Sequence, residues 1–155
     1  MAENSEYETL SLEDLKELCR KALQQVNAKP EVVEAVSGAL VWCELHGISS
    51  HGLNMLPTYL ERALHGGIDP RAEPRVIKQK EALVLLDGCA SFGQYIAYRA
   101  AKTAQALTAI HGMGLVSVKN ANHAGALGYF TQFLAKAGLI GFMAHNANPA
   151  VAPFG

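Results

Sequence analysis

Apolar side chains recur at helical spacing in the first part of the chain. The first set comprises Leu12, Leu15, Cys19, Ala22 and Val26. This spacing predicts an amphipathic helix over residues 12–27, which a capping box between Ser11 and Asp14 would begin. A second helix is predicted to start at Pro30, because proline suits a first helical turn, and to end at Gly47.

A third helix is predicted over residues 53–64, with Pro57 either in its first turns or at a kink. The pattern of apolar and polar residues then changes near Pro70. We therefore expect a helical N-terminal region over residues 1–70. The start of an α/β domain is expected over residues 71–155, incomplete at its C-terminus.

Beyond Pro70, short apolar segments alternate with longer amphipathic ones. The predicted strands are residues 75–80, 82–86, 115–118 and 139–144, and the predicted helices are residues 92–110 and 126–137. Strands that alternate with helices indicate a mixed or parallel α/β architecture, in which ligands bind at the carboxyl ends of strands. The polar segments 120–123 and 145–148 each follow a predicted strand directly.

Composition and charge exclude several classes of protein. Half of the 155 residues are hydrophobic and 17% are charged, which is typical of a globular domain. The formal net charge of −1 gives no electrostatic reason to expect nucleic acid as a partner. No apolar stretch approaches the roughly 20 residues of a membrane span, and the acidic N-terminus does not resemble a secretory signal. The three cysteines are predicted to be reduced thiols, so a cytoplasmic location is expected.

His123 stands between a predicted strand and a predicted helix, within the segment NANHAG. Backbone N–H groups at a helix start lower the pKa of a nearby histidine and so keep a neutral imidazole available as a base. The alternative interpretation is a histidine or asparagine that only caps the helix.

His51 lies in the turn HGISSHG, beside Ser50 and Gly52. Ser50 is predicted either to cap the next helix or to bind a substrate oxygen. A polar turn with an incidental histidine is the alternative. No metal site is predicted, because His46 and His51 are five residues apart and do not share a helical face, and no third ligand stands out.

No glycine-rich dinucleotide fingerprint and no phosphate-binding loop follow a strand in this sequence. The residues alone therefore indicate an α/β enzyme without defining its chemistry.

Four segments nevertheless resemble the malate/L-lactate dehydrogenase family of NAD(P)-dependent oxidoreductases, whose cofactor fold is not of the Rossmann type. They are HGISSHGLNMLPTYLERALHGGIDP, LLDGCASFGQ, GLVSVKNANHAGALGYFTQFLAKAGLIGF and NANPAVAPFG. The resemblance implies hydride transfer between NAD or NADP and a 2-hydroxy or 2-oxo acid. A homodimer is also expected.

The resemblance assigns roles to individual residues. It implies that His123 and His51 face the substrate, with His123 favoured for proton transfer, and that Ser50 and Tyr59 contact the substrate. It places Asn146 and Ala147 along the cofactor. Asn122 would orient His123 and belong to the cofactor site.

The sequence departs from the family at two positions suited to a substrate carboxylate. Many members carry an arginine where Met55 stands, and often another where Thr58 stands. Met55 cannot bind a carboxylate as arginine does. Arg62 lies one helical turn from Thr58 and is the nearest cation in sequence.

Family members are roughly twice as long as this chain, which stops within the segment VAPFG. We therefore expect an N-terminal portion of the enzyme, inactive by itself. A truncated, catalytically inactive paralogue that acts as a binding or interaction module is the alternative hypothesis.

Overall fold

The computed structural model describes residues 10–146. Three helices open the chain: α1 (Leu12–Gln25), α2 (Pro30–Leu45) and α3 (Leu56–Leu64). Two short 3-10 turns, Ser49–His51 and Leu53–Met55, connect α2 to α3. There follow β1 (Arg75–Lys80), β2 (Leu83–Asp87), α4 (Gly93–His111), β3 (Leu115–Lys119) and α5 (Gly128–Lys136). Helices followed by a small sheet with covering helices confirm the predicted α/β class.

The helix starts follow the sequence signals. Ser11 caps α1, since its Oγ accepts a hydrogen bond from the backbone N–H of Asp14 at 3.1 Å. Pro57 lies in the first turn of α3, where a helix needs no N–H donor. The third helix was predicted from residue 53, but residues 53–55 form a 3-10 turn and α3 begins at Leu56.

One apolar core joins the N-terminal helices to α4. Its largest fully buried members are Leu23, Leu40, Tyr59, Ile68, Phe92, Tyr95 and Ile96. Since Phe92, Tyr95 and Ile96 belong to the segment that starts α4, the helical N-terminal region and the α/β region share one core. That continuity fixes the α3 side chains relative to the sheet.

The sheet is mixed, with β2 in the centre. β1 pairs antiparallel to β2, and β2 pairs parallel to β3 in the register Leu83 to Leu115 through Asp87 to Lys119. The parallel pair brings the carboxyl ends of β2 and β3 to one edge, as the alternation of strands and helices predicted.

The strand predicted over residues 139–144 is wrong. These residues form no strand, and the side chains of Ile140 and Phe142 are almost fully exposed, at 103% and 91%. The segment instead runs beside α5, where Gly141 approaches Leu134. Apolar composition alone cannot supply a strand, because a strand also needs a neighbour with which to form ladder hydrogen bonds.

Candidate active site

Hydrogen bonds join the loops that leave β2 and β3. The carboxylate of Asp87 accepts from the backbone N–H of Cys89 at 2.8 Å and from Nδ2 of Asn120 at 3.1 Å. Cys89, Ala90 and Asn120 all adopt positive φ angles, between 51° and 58°. Non-glycine residues adopt this conformation only where their surroundings hold them there, so the edge of the sheet is tightly built.

Asn122 anchors the second of these loops. Its Nδ2 donates to the carbonyl oxygens of Ala90 at 2.8 Å and Ser91 at 3.1 Å, and its Oδ1 accepts from Nη2 of Arg62 at 2.7 Å. Within residues 10–146 the amide forms no hydrogen bond with the imidazole of His123, and the orienting role stays a prediction. Asn122 fixes the backbone from which His123 projects, and its place in a cofactor site stays a prediction.

Gly93 lets α4 begin directly beneath the same loop. A Cβ atom at this position would collide with the carbonyl oxygens of Asn122 and His123. Only glycine lets the two backbones approach so closely, and this contact sets the height of His123 above α4.

Tyr59 holds the imidazole of His123. The Tyr59 hydroxyl lies 2.7 Å from Nδ1 of His123, and the tyrosine side chain is only 2% exposed. Its ring packs edge-on against Phe92, with centroids 6.4 Å apart. Tyr59 was predicted to contact the substrate; its observed contact is with the histidine, and substrate contact stays a prediction.

His51 is positioned from α2. The 3-10 turn that follows it, Leu53–Met55, is held by Glu44 of α2, whose Oε1 accepts from the backbone N–H of Leu53 at 2.6 Å. Gly52 leaves the space for this carboxylate, because a Cβ atom there would overlap Glu44. The residue at the N-cap position of the turn Ser49–His51 is Ile48, so Ser50 does not act as a helix cap. The Ser50 hydroxyl lies 2.9 Å from Nδ1 of His51 instead.

The two histidines face each other with ring centroids 5.6 Å apart. Each Nδ1 is engaged by a hydroxyl group, Ser50 for His51 and Tyr59 for His123. Within residues 10–146, neither Nε2 has a hydrogen-bond partner. Both Nε2 atoms are therefore available to a bound molecule.

The pKa of His123 is lowered, as the sequence predicted, but for another reason. Burial of the imidazole is the main cause, followed by the nearby charges of His51, His145 and Arg62. The helix that follows begins only at Gly128, five residues on, so its N-terminus is not the cause. His123 is consequently neutral near pH 7 and able to accept a proton.

Of the predicted cofactor residues Asn146 and Ala147, Asn146 is exposed and Ala147 lies outside the described residues. Asn146 and its exposed neighbour His145 stand at the end of a cleft of about 1070 Å³ between β3, α4 and α5. Asn120 and Asn122 also line this cleft. Small apolar residues of α4, among them Ala97, Ala101 and Ala104, form much of its lining.

No group of three or more His, Cys, Asp or Glu side chains in residues 10–146 is arranged to bind a metal ion. No helix in this range combines the length and apolar character that crossing a membrane requires.

Sequence reasoning left two residues of the site unassigned. Arg62 was noted only for its spacing from Thr58, and its bond to Asn122 depends on contact between α3 and a loop 60 residues away. Gln94 was not singled out, although it stands in the quoted segment LLDGCASFGQ. It is 1% exposed and carries a buried amide. A polar residue within an otherwise apolar helix start was the available signal.

Known proteins resemble this chain over most of its length. The sequence profile of the malate/L-lactate dehydrogenase family matches residues 10–155. Malate dehydrogenase of Pyrococcus abyssi is 34% identical over 149 residues, which are 96% of this chain and 41% of the relative. L-sulfolactate dehydrogenase of Methanocaldococcus jannaschii is 30% identical over 146 residues, 94% of this chain and 42% of the relative.

A solved structure matches as well. Malate dehydrogenase from Pyrococcus horikoshii superimposes with a TM-score of 0.84 and 29% identity, over 87% of this chain and 39% of that one. The chain thus spans about two fifths of the length of these relatives.

Proposed function

The chain belongs to the malate/L-lactate dehydrogenase family, and from this premise we propose that it supplies the acid–base groups of a nicotinamide-dependent oxidoreductase. The proposed substrate is a 2-hydroxy acid in one direction and the corresponding 2-oxo acid in the other. The observation that carries this proposal is the facing pair His51 and His123, each contacted by a hydroxyl at Nδ1 and, within residues 10–146, without a hydrogen-bond partner at Nε2. The dehydrogenase activities named for the relatives support an enzyme over an inactive binding module.

His123 is the proposed proton acceptor. Its lowered pKa keeps the imidazole neutral near neutral pH. In the tautomer that carries its proton on Nδ1, facing the Tyr59 oxygen, Nε2 takes the proton of the substrate hydroxyl during oxidation. In the reverse direction the imidazolium returns that proton to the oxygen of the 2-oxo group. His51 binds the same oxygen from the other side and polarises it.

NAD or NADP is the proposed cofactor, and when bound it exchanges a hydride with the substrate carbon. The cleft beside β3 has an apolar lining with amide and imidazole groups at one end, which suits a flat heterocycle that carries a carboxamide. Asn146 and Ala147 are proposed to lie along the cofactor, with Asn122 at the start of the same surface.

Arg62 is the proposed ligand of the substrate carboxylate, because Met55 cannot take that part. Its Nη2 is bound to Asn122, while its Nε and Nη1 form no hydrogen bond with residues 10–146. The positive charge of Arg62 is close enough to Tyr59 and His123 to act on both pKa values. It contributes to the lowered pKa of His123 and opposes the rise that burial causes in the pKa of Tyr59. A carboxylate bound here would lie beside the histidine that accepts the proton, with the Ser50 hydroxyl as a second polar contact.

Self-association and location are also proposed. The exposed apolar side chains of Ile140 and Phe142 support burial against another chain, as in a homodimer, because water-exposed apolar groups of this size favour association. The three cysteines, all within the described range, are free thiols, which supports the reducing environment of the cytoplasm.

The test is an assay of a full-length protein that contains residues 1–155, because residues 1–155 by themselves are expected to give no turnover. Oxidation of NADH and NADPH is followed with pyruvate, oxaloacetate and sulfopyruvate, and the His123→Ala variant serves as the matched control. The proposal expects turnover of at least one 2-oxo acid that the variant loses. Absence of turnover with all three acids and both cofactors, in a folded protein, would overturn it.

A further inference from the structure

The two edges of the sheet differ in how well they are protected. Within residues 10–146, β1 and β3 each pair with β2 on one side only. The pairing of β1 carries a register shift between Val76 and Lys78, and both Lys78 and Lys80 are exposed, which are features that discourage further strand pairing. β3 pairs with β2 without a shift, and its single charge, Lys119, stands at its end. The outer edge of β3 can therefore accept another strand.

A second stretch of unpaired backbone lines the same cleft as β3. Residues 139–144 alternate in exposure: the odd-numbered residues are partly buried and the even-numbered ones are exposed. A period of two is that of extended backbone. Among residues 10–146, no backbone–backbone hydrogen bond involves residues 140–146. The cleft thus has two extended segments in its walls, and each has backbone N–H and C=O groups to offer.

The floor of the cleft suits the side chains of a strand. It is formed by the alanines of α4, which are Ala97, Ala100, Ala101 and Ala104. Small side chains let another backbone come close to the helix, and the apolar surface favours burial of apolar side chains. Val116 and Val118 of β3 already pack toward α4 in this way, beside Ala100.

We propose that a strand from the part of the full-length protein outside residues 10–146 lies in this cleft. It pairs with the outer edge of β3 and with the backbone of residues 140–145, and it directs small apolar side chains toward α4. The lengths of both walls set its length at about five or six residues. This mode of recognition takes its affinity from main-chain hydrogen bonds and its selectivity from alternate side chains.

The occupant is a segment of the same protein and not a second copy of residues 10–146. The edge strand that a second copy offers is β1, whose register shift and lysines oppose insertion. The relatives carry additional chain, since the match covers only 41% of the Pyrococcus abyssi enzyme. The strand leaves the polar end of the cleft, at Asn120, Asn122 and Asn146, accessible to the proposed cofactor. The proposal therefore stands or falls independently of the proposed function.

Hydrogen exchange of a full-length protein that contains residues 1–155 is the first test. The amides of residues 140–145 are the main readout, because they have no backbone partner within residues 10–146. Ala104→Glu places a charge on the floor of the cleft, where Ala104 is partly buried. Ala109→Glu is the matched control, since Ala109 is exposed on the same helix and does not line the cleft.

The amides of residues 140–145 should exchange at least about a hundredfold more slowly than in an unstructured chain, without cofactor and at every protein concentration. Ala104→Glu should reduce this protection at least about tenfold, and Ala109→Glu should leave it unchanged. Fast exchange in the unmodified protein would overturn the proposal, as would full protection in folded Ala104→Glu. Protection that needs NADH would assign the cleft to the cofactor, and protection that needs high protein concentration would assign it to a second copy. Either result would also overturn the proposal.

Cross-linking identifies the occupant directly. Ser117 is exposed and lies between Val116 and Val118, so its side chain is on the face of β3 away from α4. A photo-crosslinking amino acid at position 117 therefore reports the strand beside β3 without entering the cleft. Mixed isotope-labelled and unlabelled protein separates links within one chain from links between chains. Links within one chain to a segment outside residues 10–146 are expected. Links confined to residues 10–146, or links between chains, would contradict the proposal.

Discussion

The Tyr59 hydroxyl and Nδ1 of His123 lie 2.7 Å apart, although 64 residues separate them in the chain. Tyr59 belongs to α3 in the helical N-terminal region, and His123 belongs to the loop after β3. The site is therefore shared between the two predicted regions, and neither can present the histidine in this orientation alone.

In a full-length protein that contains residues 1–155, removal of either histidine should abolish most turnover. His123→Ala and His51→Ala are each expected to lower kcat/KM by at least about a hundredfold, because proton transfer and polarisation of the substrate oxygen are lost. His65→Ala is the matched control, since His65 is exposed at the end of α3 and, among residues 10–146, its side chain forms a hydrogen bond with the Glu61 carbonyl alone. Near-normal turnover in either test variant would remove that residue from the mechanism.

Arg62→Gln should weaken substrate binding more than it slows chemistry. Loss of a carboxylate ligand is expected to raise KM for a 2-oxo acid about tenfold or more, because a charge-assisted contact contributes mainly uniform binding. Met55→Arg should lower KM for compact 2-oxo acids. Arg71→Gln, an exposed arginine outside the site, is the control. Equal KM values in all three variants would show that another cation binds the carboxylate.

Gly93→Ala should destabilise the fold strongly. The added methyl group meets two backbone carbonyl oxygens that cannot move independently, so a loss of about 3 kcal/mol of unfolding free energy is expected. Gly66→Ala gives the comparison. Gly66 has a φ of +75° but open space around it, so only about 1 kcal/mol from the left-handed backbone is expected. Urea unfolding measures both, and similar losses would contradict the packing argument.

The pH dependence follows from the direction of the His123 shift. Its pKa lies below the ordinary value near 6.5 in the folded chain, so the unfolded chain binds the proton first as the pH falls. The contribution of His123 to stability is therefore complete above about pH 6.5 and is lost as the pH falls toward the folded-state pKa.

Catalysis should show the same dependence in one direction of the reaction. Oxidation of a 2-hydroxy acid should rise through the His123 pKa and be level by neutral pH. Arg62→Gln should move that rise to higher pH, because it removes a positive charge that opposes protonation. Profiles of kcat/KM against pH check both statements, and a shift to lower pH in the variant would contradict the second.

Residues 1–155 by themselves should bind the cofactor weakly. The chain spans 41% of the length of a relative such as the Pyrococcus abyssi enzyme, and few groups are left to offset the entropy of association. We expect a Kd for NADH no tighter than about 1 mM, no turnover, and self-association. Calorimetric titration with NADH and NADPH, together with the mass in solution, tests this. Micromolar binding by a monomer would show that this stretch forms a complete cofactor domain.

The sequence predicted local structure better than contacts between distant segments. The spacing from Leu12 to Val26 placed α1 closely, because helical hydrogen bonds join near neighbours. The segment 139–144 was mistaken for a strand, since strand formation depends on a partner that local composition cannot reveal. His51 and His123 were identified from their flanking glycines and the family resemblance. The Tyr59 and Arg62 contacts required the packing of α3 against the loop after β3.

Tyr59 and Arg62 stand three residues apart on α3, and both side chains reach the same loop, one at His123 and the other at Asn122. A rigid helix transmits any tilt or rotation to both at once. A mutation that moves α3 to admit a bulkier substrate would therefore also disturb the alignment of the imidazole proposed to accept the proton. Changes in substrate specificity that move α3 should therefore also change the rate of proton transfer. They should need compensating substitutions in the loop that carries His123.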